Sequence, residues 1–397
     1  MIIKSLADND FYKFTMLQGY WKLGIDKTIS EYKFVDRNNT VYTKKQFKKI
    51  KREIENLEKL RFKKKEIKFL YETGIFEKEF CKYLEEFNLP VKEVMTINYN
   101  NGRIEIRFKG ELAKVSMFEI YVMAIISEVV CADQEGANFI KGGIDLAEKI
   151  SKVMPQNAFW PENLFKLVDF GTRRRYSRFW QEQVVTFLKD NPIFVGTSNV
   201  LLSMKIGKKP VGTMAHEWFQ VHQGFYDVED SQVKALENWD KVYPNGVLGV
   251  ALTDIFNMDT FAKDFKKKEN FSNVFSGLRH DSGDPMEWAE KAMTLFKQTS
   301  NTLDGKTLVF SDGLTLEKAL DIQNALKDSM GRLPLNVVFG IGTKLTNNVG
   351  VKAPNIVIKN VMTNNKATAK ISDEPGKSIC EDEEYVEDVQ EKMKHWR

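Results

Sequence analysis

Seven short apolar runs recur through the later part of the chain, and each is followed at once by a string of small or polar residues. The runs are 165–170, 193–195, 210–214, 247–252, 275–278, 307–310 and 336–339. Their starts are 28, 17, 37, 28, 32 and 29 residues apart, about the length of one strand plus one helix. Helical patterns at 178–188 and 286–298 fill two of the gaps. A chain with this rhythm folds as a parallel α/β barrel or a doubly wound sheet.

The strings that end the runs are DFGTRRR, GTSN, GTMAHEW, ALTD, RHDSGD, FSDG and FGIGT. In such folds the strand C-termini open on one face, so ligand-capable residues at successive strand ends mark a site. The stretch before them has a different texture. Residues 1–135 read as an α+β domain, with strand patterns at 28–35 and at 103–108 after the turn signal Asn101-Gly102. A strongly apolar helix follows around Met117–Val129. The barrel domain is expected over 136–349, and residues 350–397 are expected to pack back on the first domain.

Charge excludes less than it suggests. Residues 44–70 hold twelve Lys or Arg against four Glu, in a chain whose net charge is only +4. Within that stretch Phe47, Ile50, Ile54, Leu57 and Leu60 recur at helical spacing. They predict an amphipathic helix with a lysine-rich outer face, the alternative being a phosphate- or nucleic-acid-binding patch, and no nucleic-acid partner is expected. Three widely spaced cysteines, Cys81, Cys131 and Cys380, form no CxxC pair, which favours a reducing compartment and the cytoplasm. With no run of eighteen apolar residues, no membrane partner is expected.

Phosphate-binding signatures of the common kinds are missing. Gly376-Lys377-Ser378 has Ile371 where a P-loop needs its first glycine, and Gly305-Lys306-Thr307 has Ser300 there. Gly340-Ile341-Gly342 is followed by Leu345 where a dinucleotide fingerprint needs its third glycine. The late-strand turns at Gly313, Gly340 and Gly342 still suit a phosphate, because small residues let backbone N–H groups approach it.

Of the four histidines, His216 ends a strand candidate and His280 lies in RHDSGD, whereas His222 reads as structural and His395 as solvated. A histidine in the position of His216 serves as base, nucleophile or metal ligand, and no metal-ligand spacing surrounds it. Asp254, at the next strand end, is placed to orient its ring; its alternative role is a helix cap. Arg279 and Asp281 suit a sugar-phosphate clamp, with a polar helix cap as the alternative.

These strings, in this order and at similar intervals, resemble those of nicotinate phosphoribosyltransferases. LADNDFYKFTM near the N-terminus and AKISDEPGK near the C-terminus fit as well, and GTMAHEW and RHDSGDP are the specific ones. The resemblance implies a type II phosphoribosyltransferase: an irregular parallel α/β barrel of about seven strands with an N-terminal α+β domain, assembled as a homodimer. It implies that His216 is phosphorylated by ATP, and that ATP and Mg²⁺ accompany nicotinate and phosphoribosyl pyrophosphate as small-molecule partners. Phe170 and, from a second subunit, Tyr12 resemble the two aromatics that sandwich the pyridine ring. Arg279 with Thr213 resembles the pair that meets nicotinate. Asp281 and Asp312 resemble the ribose or Mg²⁺ contacts, and Thr343 with the glycine turns resembles the phosphate cradle. Arg173 is a further anion contact, and Arg37 a candidate to reach across the dimer. Ser198 stands where nicotinamide-specific relatives carry Asp, and a hydroxyl there does not repel the carboxylate of nicotinate.

Overall fold

The computed structural model describes residues 1–158, 165–330, 334–372 and 380–396; Gly376, Lys377 and Ser378 lie outside them. Two compact units interleave along the chain. One comprises Met1–Glu148, Val168–Gly212 and Ile341–Lys359, the other Lys149–Leu167, Thr213–Gly340 and Asn360–Arg397.

The strands are β1 (Ile29–Asp36), β2 (Met95–Asn100), β3 (Arg103–Glu111), β4 (Lys166–Asp169), β5 (Phe194–Thr197), β6 (Val250–Leu252), β7 (Gly277–His280), β8 (Thr307–Phe310), β9 (Asn336–Ile341), β10 (Ile356–Thr363) and β11 (Lys366–Ala367). They form a five-stranded sheet in the order β11-β10-β1-β3-β2 and a six-stranded one in the order β5-β4-β9-β8-β7-β6. The chain is thus mixed α/β, as its rhythm requires.

In the first unit β2 and β3 pair antiparallel from Met95↔Phe108 to Asn100↔Arg103. Asn101 and Gly102 close the hairpin with φ of 46° and 83°. Two consecutive left-handed residues give the turn whose twist matches that of the flanking strands. A Cβ on Gly102 would also lie 2.7 Å from Val41, so packing and backbone both demand glycine. Along β3, Ile104, Ile106 and Phe108 are buried while Arg103 and Glu105 face solvent. Phe108 stacks on Phe118 at 4.4 Å; truncating a buried ring of this kind to alanine costs about 3–5 kcal/mol.

Phe118 opens the helix Phe118–Ala132. The span Leu112–Ala132 is long and apolar enough to cross a membrane, but 83% of its most apolar window is buried inside the protein. It is a core segment in which Lys114, Glu119 and Glu128 interrupt the apolar sequence. The basic stretch is not one helix. Thr43 caps Lys44–Glu55 through a capping box with Gln46; a 3₁₀ turn at Asn56–Lys59 follows, then the helix Lys64–Glu72. Ile50, Ile54 and Leu57 face inward as the periodicity indicates.

In the second unit β6, β7, β8 and β9 pair in parallel, in sequence order. β8 shows why the runs read as continuously apolar: Leu308, Val309 and Phe310 are all buried, as expected of a parallel strand covered on both faces. Six of the seven expected runs are strands. Residues 210–214 carry no ladder, because Pro210 offers no N–H and Gly212 sits at φ 154°. β6 starts late because Asn245, Gly246 and Leu248 have φ of 60°, 74° and 55°, a turn that no strand can include.

Candidate active site

In the second unit His216 is the first residue of the helix His216–Gln223 and is 5% exposed. Its Nε2 lies 2.7 Å from Asp254 Oδ1, in the loop after β6. Burial holds the His216 pKa below its ordinary value, although Asp254 pulls the other way. The ring is neutral at pH 7, and Asp254, held well below the carboxylate range against its own burial by His216 and Lys370, is ionised. An ionised acceptor fixes the hydrogen on Nε2. Nδ1 therefore carries the lone pair, and Asp281 Oδ2 lies 3.8 Å from it.

The helix-cap reading holds for Asp284 but not for Asp254 or Asp281. The helix Met258–Lys266 after Asp254 is capped by Asn257, which accepts from Thr260 N at 2.7 Å. The helix Pro285–Ser300 is capped by Asp284, which accepts from Met286 N and Glu287 N. Asp254 and Asp281 are left for the site. Asp281 Oδ1 accepts from Ser311 Oγ at 2.8 Å and Arg279 Nη2 at 3.3 Å, and Arg279 Nε donates to Ser311 Oγ at 2.8 Å. Despite its burial, Arg279 and then His216 bring Asp281 down to about 2.

Two partners of Asp254 were not singled out in the sequence. Ser282 Oγ donates to Oδ2 at 2.7 Å, and Lys370 Nζ lies 2.9 Å from the same oxygen. Thr213 donates to Val250 O at 2.8 Å, Asp312 is half-buried, Gly313 is exposed at φ 56° and Gly340 is buried in β9. His280 donates toward Gly283 O and packs against Trp288 and Phe310. His222 is buried with Nδ1 on Trp218 O and Nε2 on Asn238, and its pKa falls to about 4. The His395 side chain is 80% exposed.

Ligand atoms of His216, Asp254 and Asp281 lie within 4.8 Å of one another, but a resident metal does not fit them. Asp254 spends its oxygens on His216, Ser282 and Lys370, and one oxygen of Asp281 serves Ser311 and Arg279. The Lys370 and Arg279 cations already occupy the positions where a metal's charge would act.

In the first unit Ser198 is buried and donates to Asp10 Oδ1 at 2.7 Å. Burial raises the Asp10 pKa, with Arg173 opposing. The carboxylate directly behind Ser198 is a feature that the strand-end string alone does not reveal. Asp169, raised to about 6 by burial, accepts from Thr197, Gln181 and Gly171 N, and so ties the ends of β4 and β5 together. Arg175 is wholly buried between Asp8 (2.8 and 2.9 Å) and Glu128 (2.8 Å). Phe170 and Arg173 are part-exposed beside this network, and Tyr12 is 8% exposed. Phe170 N donates to Ile341 O, and a Cβ on Gly342 would come within 3.2 Å of Phe170 O. Thr343 begins the short helix Thr343–Thr346, and Arg37 is exposed.

Fold and site together define an α/β protein with an oriented, neutral histidine and ion-paired carboxylates at its strand ends. Residues 165–395 match the nicotinate phosphoribosyltransferase (NAPRTase) family, and residues 7–127 match the N-terminal domain of that family. A nicotinate phosphoribosyltransferase of Psychromonas ingrahamii is 42% identical over 398 residues, covering 97% of this chain and 94% of the relative. The crystal structure of the Porphyromonas gingivalis nicotinate phosphoribosyltransferase superposes with a TM-score of 0.89 at 32% identity, covering 98% of this chain and 99% of that one. The Vibrio cholerae structure of that name gives 0.89 at 31%, covering 99% and 94%. The chain belongs to the nicotinate phosphoribosyltransferase family.

Proposed function

We propose that this chain joins nicotinate to phosphoribosyl pyrophosphate, giving nicotinate mononucleotide and pyrophosphate, and couples the transfer to ATP hydrolysis through a phosphoryl group on His216. Family membership supports the transfer. The observation that carries the coupling is the Nε2–Asp254 bond, which leaves the Nδ1 lone pair of a neutral imidazole for phosphorus.

The nucleophile needs no base. Nδ1 attacks the γ-phosphorus, the N–P bond forms as the bond to the bridging oxygen breaks, and ADP departs with that electron pair. The Nε2 hydrogen stays in place, and Asp254 stabilises the positive charge that develops on the ring. Water later cleaves the N–P bond, which releases orthophosphate and restores the imidazole. A phosphoryl group brings about two negative charges, enough to rearrange the nearby Arg279–Asp281–Ser311 bonds.

In the transfer itself the pyridine nitrogen attacks C1 of the ribose as the C1–oxygen bond to pyrophosphate breaks. The work for the protein is positioning and charge. Arg279 meets the carboxylate of nicotinate with Thr213 beside it; Phe170 and, from a second subunit, Tyr12 hold the ring; Asp281 and Asp312 face ribose hydroxyls or Mg²⁺; Gly313, Gly340, Gly342, Thr343 and Arg173 receive phosphate. Mg²⁺ carried with the polyphosphates would help to neutralise the charge on the leaving groups. A homodimer belongs to the same reading. It is supported by the exposed apolar side chains Phe139, Ile140, Ile144 and Phe179, 40, 78, 53 and 62% exposed, of which Phe139 and Phe179 meet edge to face. Three free thiols suit the cytoplasm.

The test is to supply phosphoribosyl pyrophosphate, Mg²⁺ and ATP and to compare nicotinate, nicotinamide and quinolinate. Mononucleotide from nicotinate alone, accelerated by ATP, is expected; product from another base, or indifference to ATP, overturns the corresponding half of the proposal.

A further inference from the structure

Lys370 lies far from His216 in sequence, yet the fold brings it to the rear of the same carboxylate. The segment that carries it is clamped on both sides. Gln223, the last residue of the helix that His216 begins, donates to Ala369 O and accepts from Ala369 N, both at 2.8 Å. On the other side Ile371 N donates to Ile255 O at 2.9 Å, one residue beyond Asp254. Between these clamps Lys370 is 6% exposed, with Nζ 2.9 Å from Asp254 Oδ2. A lysine this buried is retained only against a partner, and here the partner's other oxygen holds His216 at 2.7 Å.

We propose that Lys370 is a positioning residue for His216: its ammonium anchors the rear oxygen of Asp254, turns the front oxygen to Nε2, and offsets enough of the carboxylate's charge to keep the imidazole neutral. This inference rests on the reading of His216 as the nucleophile. A lone ionised carboxylate against Nε2 orients the ring but also favours its protonation, and a protonated ring has no lone pair on Nδ1. Lys370 separates the two effects, leaving orientation and cancelling much of the field.

The other groups facing the ring leave that task undone. Asp281 Oδ2, 3.8 Å from Nδ1, adds a second negative charge, partly answered by Arg279 through the other oxygen of Asp281. His280 is turned to Gly283 O, and Ser282 is uncharged. Lys370 is the cation that the Asp254 side supplies. It acts on the ring across one carboxylate, with Nζ 2.9 Å from Oδ2 and Nε2 2.7 Å from Oδ1; removing a unit charge at a separation on the order of 6 Å and an effective dielectric near 20 shifts a pKa by about two units.

The experiment is a pH titration of the four imidazoles by NMR in histidine-labelled full-length protein, with His216→Asn assigning the resonance. Wild type, Lys370→Met and Lys370→Arg are compared, and far-ultraviolet circular dichroism checks that each is folded. The expected result is a His216 midpoint raised by about one to two units in K370M and returned most of the way in K370R, with His222 unmoved. An unchanged His216 midpoint in folded K370M, or an equal shift in K370R, overturns the proposal. If K370M does not fold, K370R decides alone: a midpoint within about half a unit of wild type sustains it and a larger rise overturns it. Because this readout needs no ATP, it fails or succeeds separately from the phosphorylation of His216.

Discussion

Replacing Asp254 by asparagine keeps the size of the side chain and removes its charge, and the structure gives that change two separable consequences. The first is chemical. An amide can donate to Nε2, which moves the ring hydrogen to Nδ1 and removes the lone pair there. Tautomer inversion of an oriented histidine lowers reactivity by about 10⁴ in the best-studied hydrolase triad, about 5.5 kcal/mol of barrier. The second is structural. Lys370, 2.9 Å from the lost charge and 6% exposed, is left buried without its partner, which costs about 3–5 kcal/mol of stability. The double variant D254N/K370M removes both charges, so most of the stability returns while phosphorylation stays low. Single-turnover labelling with γ-³²P-ATP, beside urea unfolding of the single and double variants, reads both quantities. Phosphorylation of folded D254N within tenfold of wild type would refute the reasoning, because the ring would then need no carboxylate to fix its hydrogen.

Other expected outcomes follow from the same contacts. Ser198→Asp places a second acid against Asp10, now 2.7 Å from the hydroxyl; stability should fall by about 2–4 kcal/mol in urea, and kcat/KM for nicotinate should drop more than tenfold. An S198D protein that uses nicotinate better than wild type contradicts the charge argument. His222 is held neutral with a folded pKa of about 4, below its unfolded value, so the unfolded chain binds more protons and stability rises with pH between about 4 and 6.5. Going from pH 8 to pH 5 should cost about 2 kcal/mol through this residue, a slope that His222→Gln removes; equal slopes in both proteins would exclude it. Ile140→Asp puts a charge on the apolar surface and should halve the mass seen by light scattering, with wild type a dimer.

Local chemistry was legible in the sequence wherever one short stretch decides it. Asn101-Gly102 dictates a hairpin whichever strands it joins, and 178–188 keeps the helix that its periodicity requires. The continuous apolar runs mark buried parallel strands, except where Pro210 and Gly212 break the ladder and where the turn at Asn245–Leu248 shortens β6. The core helix shows no unbroken apolar run in the sequence because a few polar side chains are scattered along it, and these leave its burial intact.

The sequence paired His216 with Asp254 as ends of successive strands; the pair forms at 2.7 Å, although 210–214 is no strand and His216 instead opens the helix His216–Gln223. Asp10 behind Ser198 and Lys370 behind Asp254 were not, since 188 and 116 residues separate the partners. Nothing local distinguishes Lys370 from the many solvated lysines of this chain.

The most direct test of the whole account is to incubate the protein with γ-³²P-ATP and map the label by peptide mass spectrometry under alkaline conditions, while counting nicotinate mononucleotide formed per ATP hydrolysed. The account predicts an acid-labile, base-stable phosphoryl group on His216 that disappears in His216→Ala, together with loss of the ATP-driven share of nucleotide synthesis. A phosphoprotein that persists in H216A, or full ATP stimulation without any phosphohistidine, would contradict it.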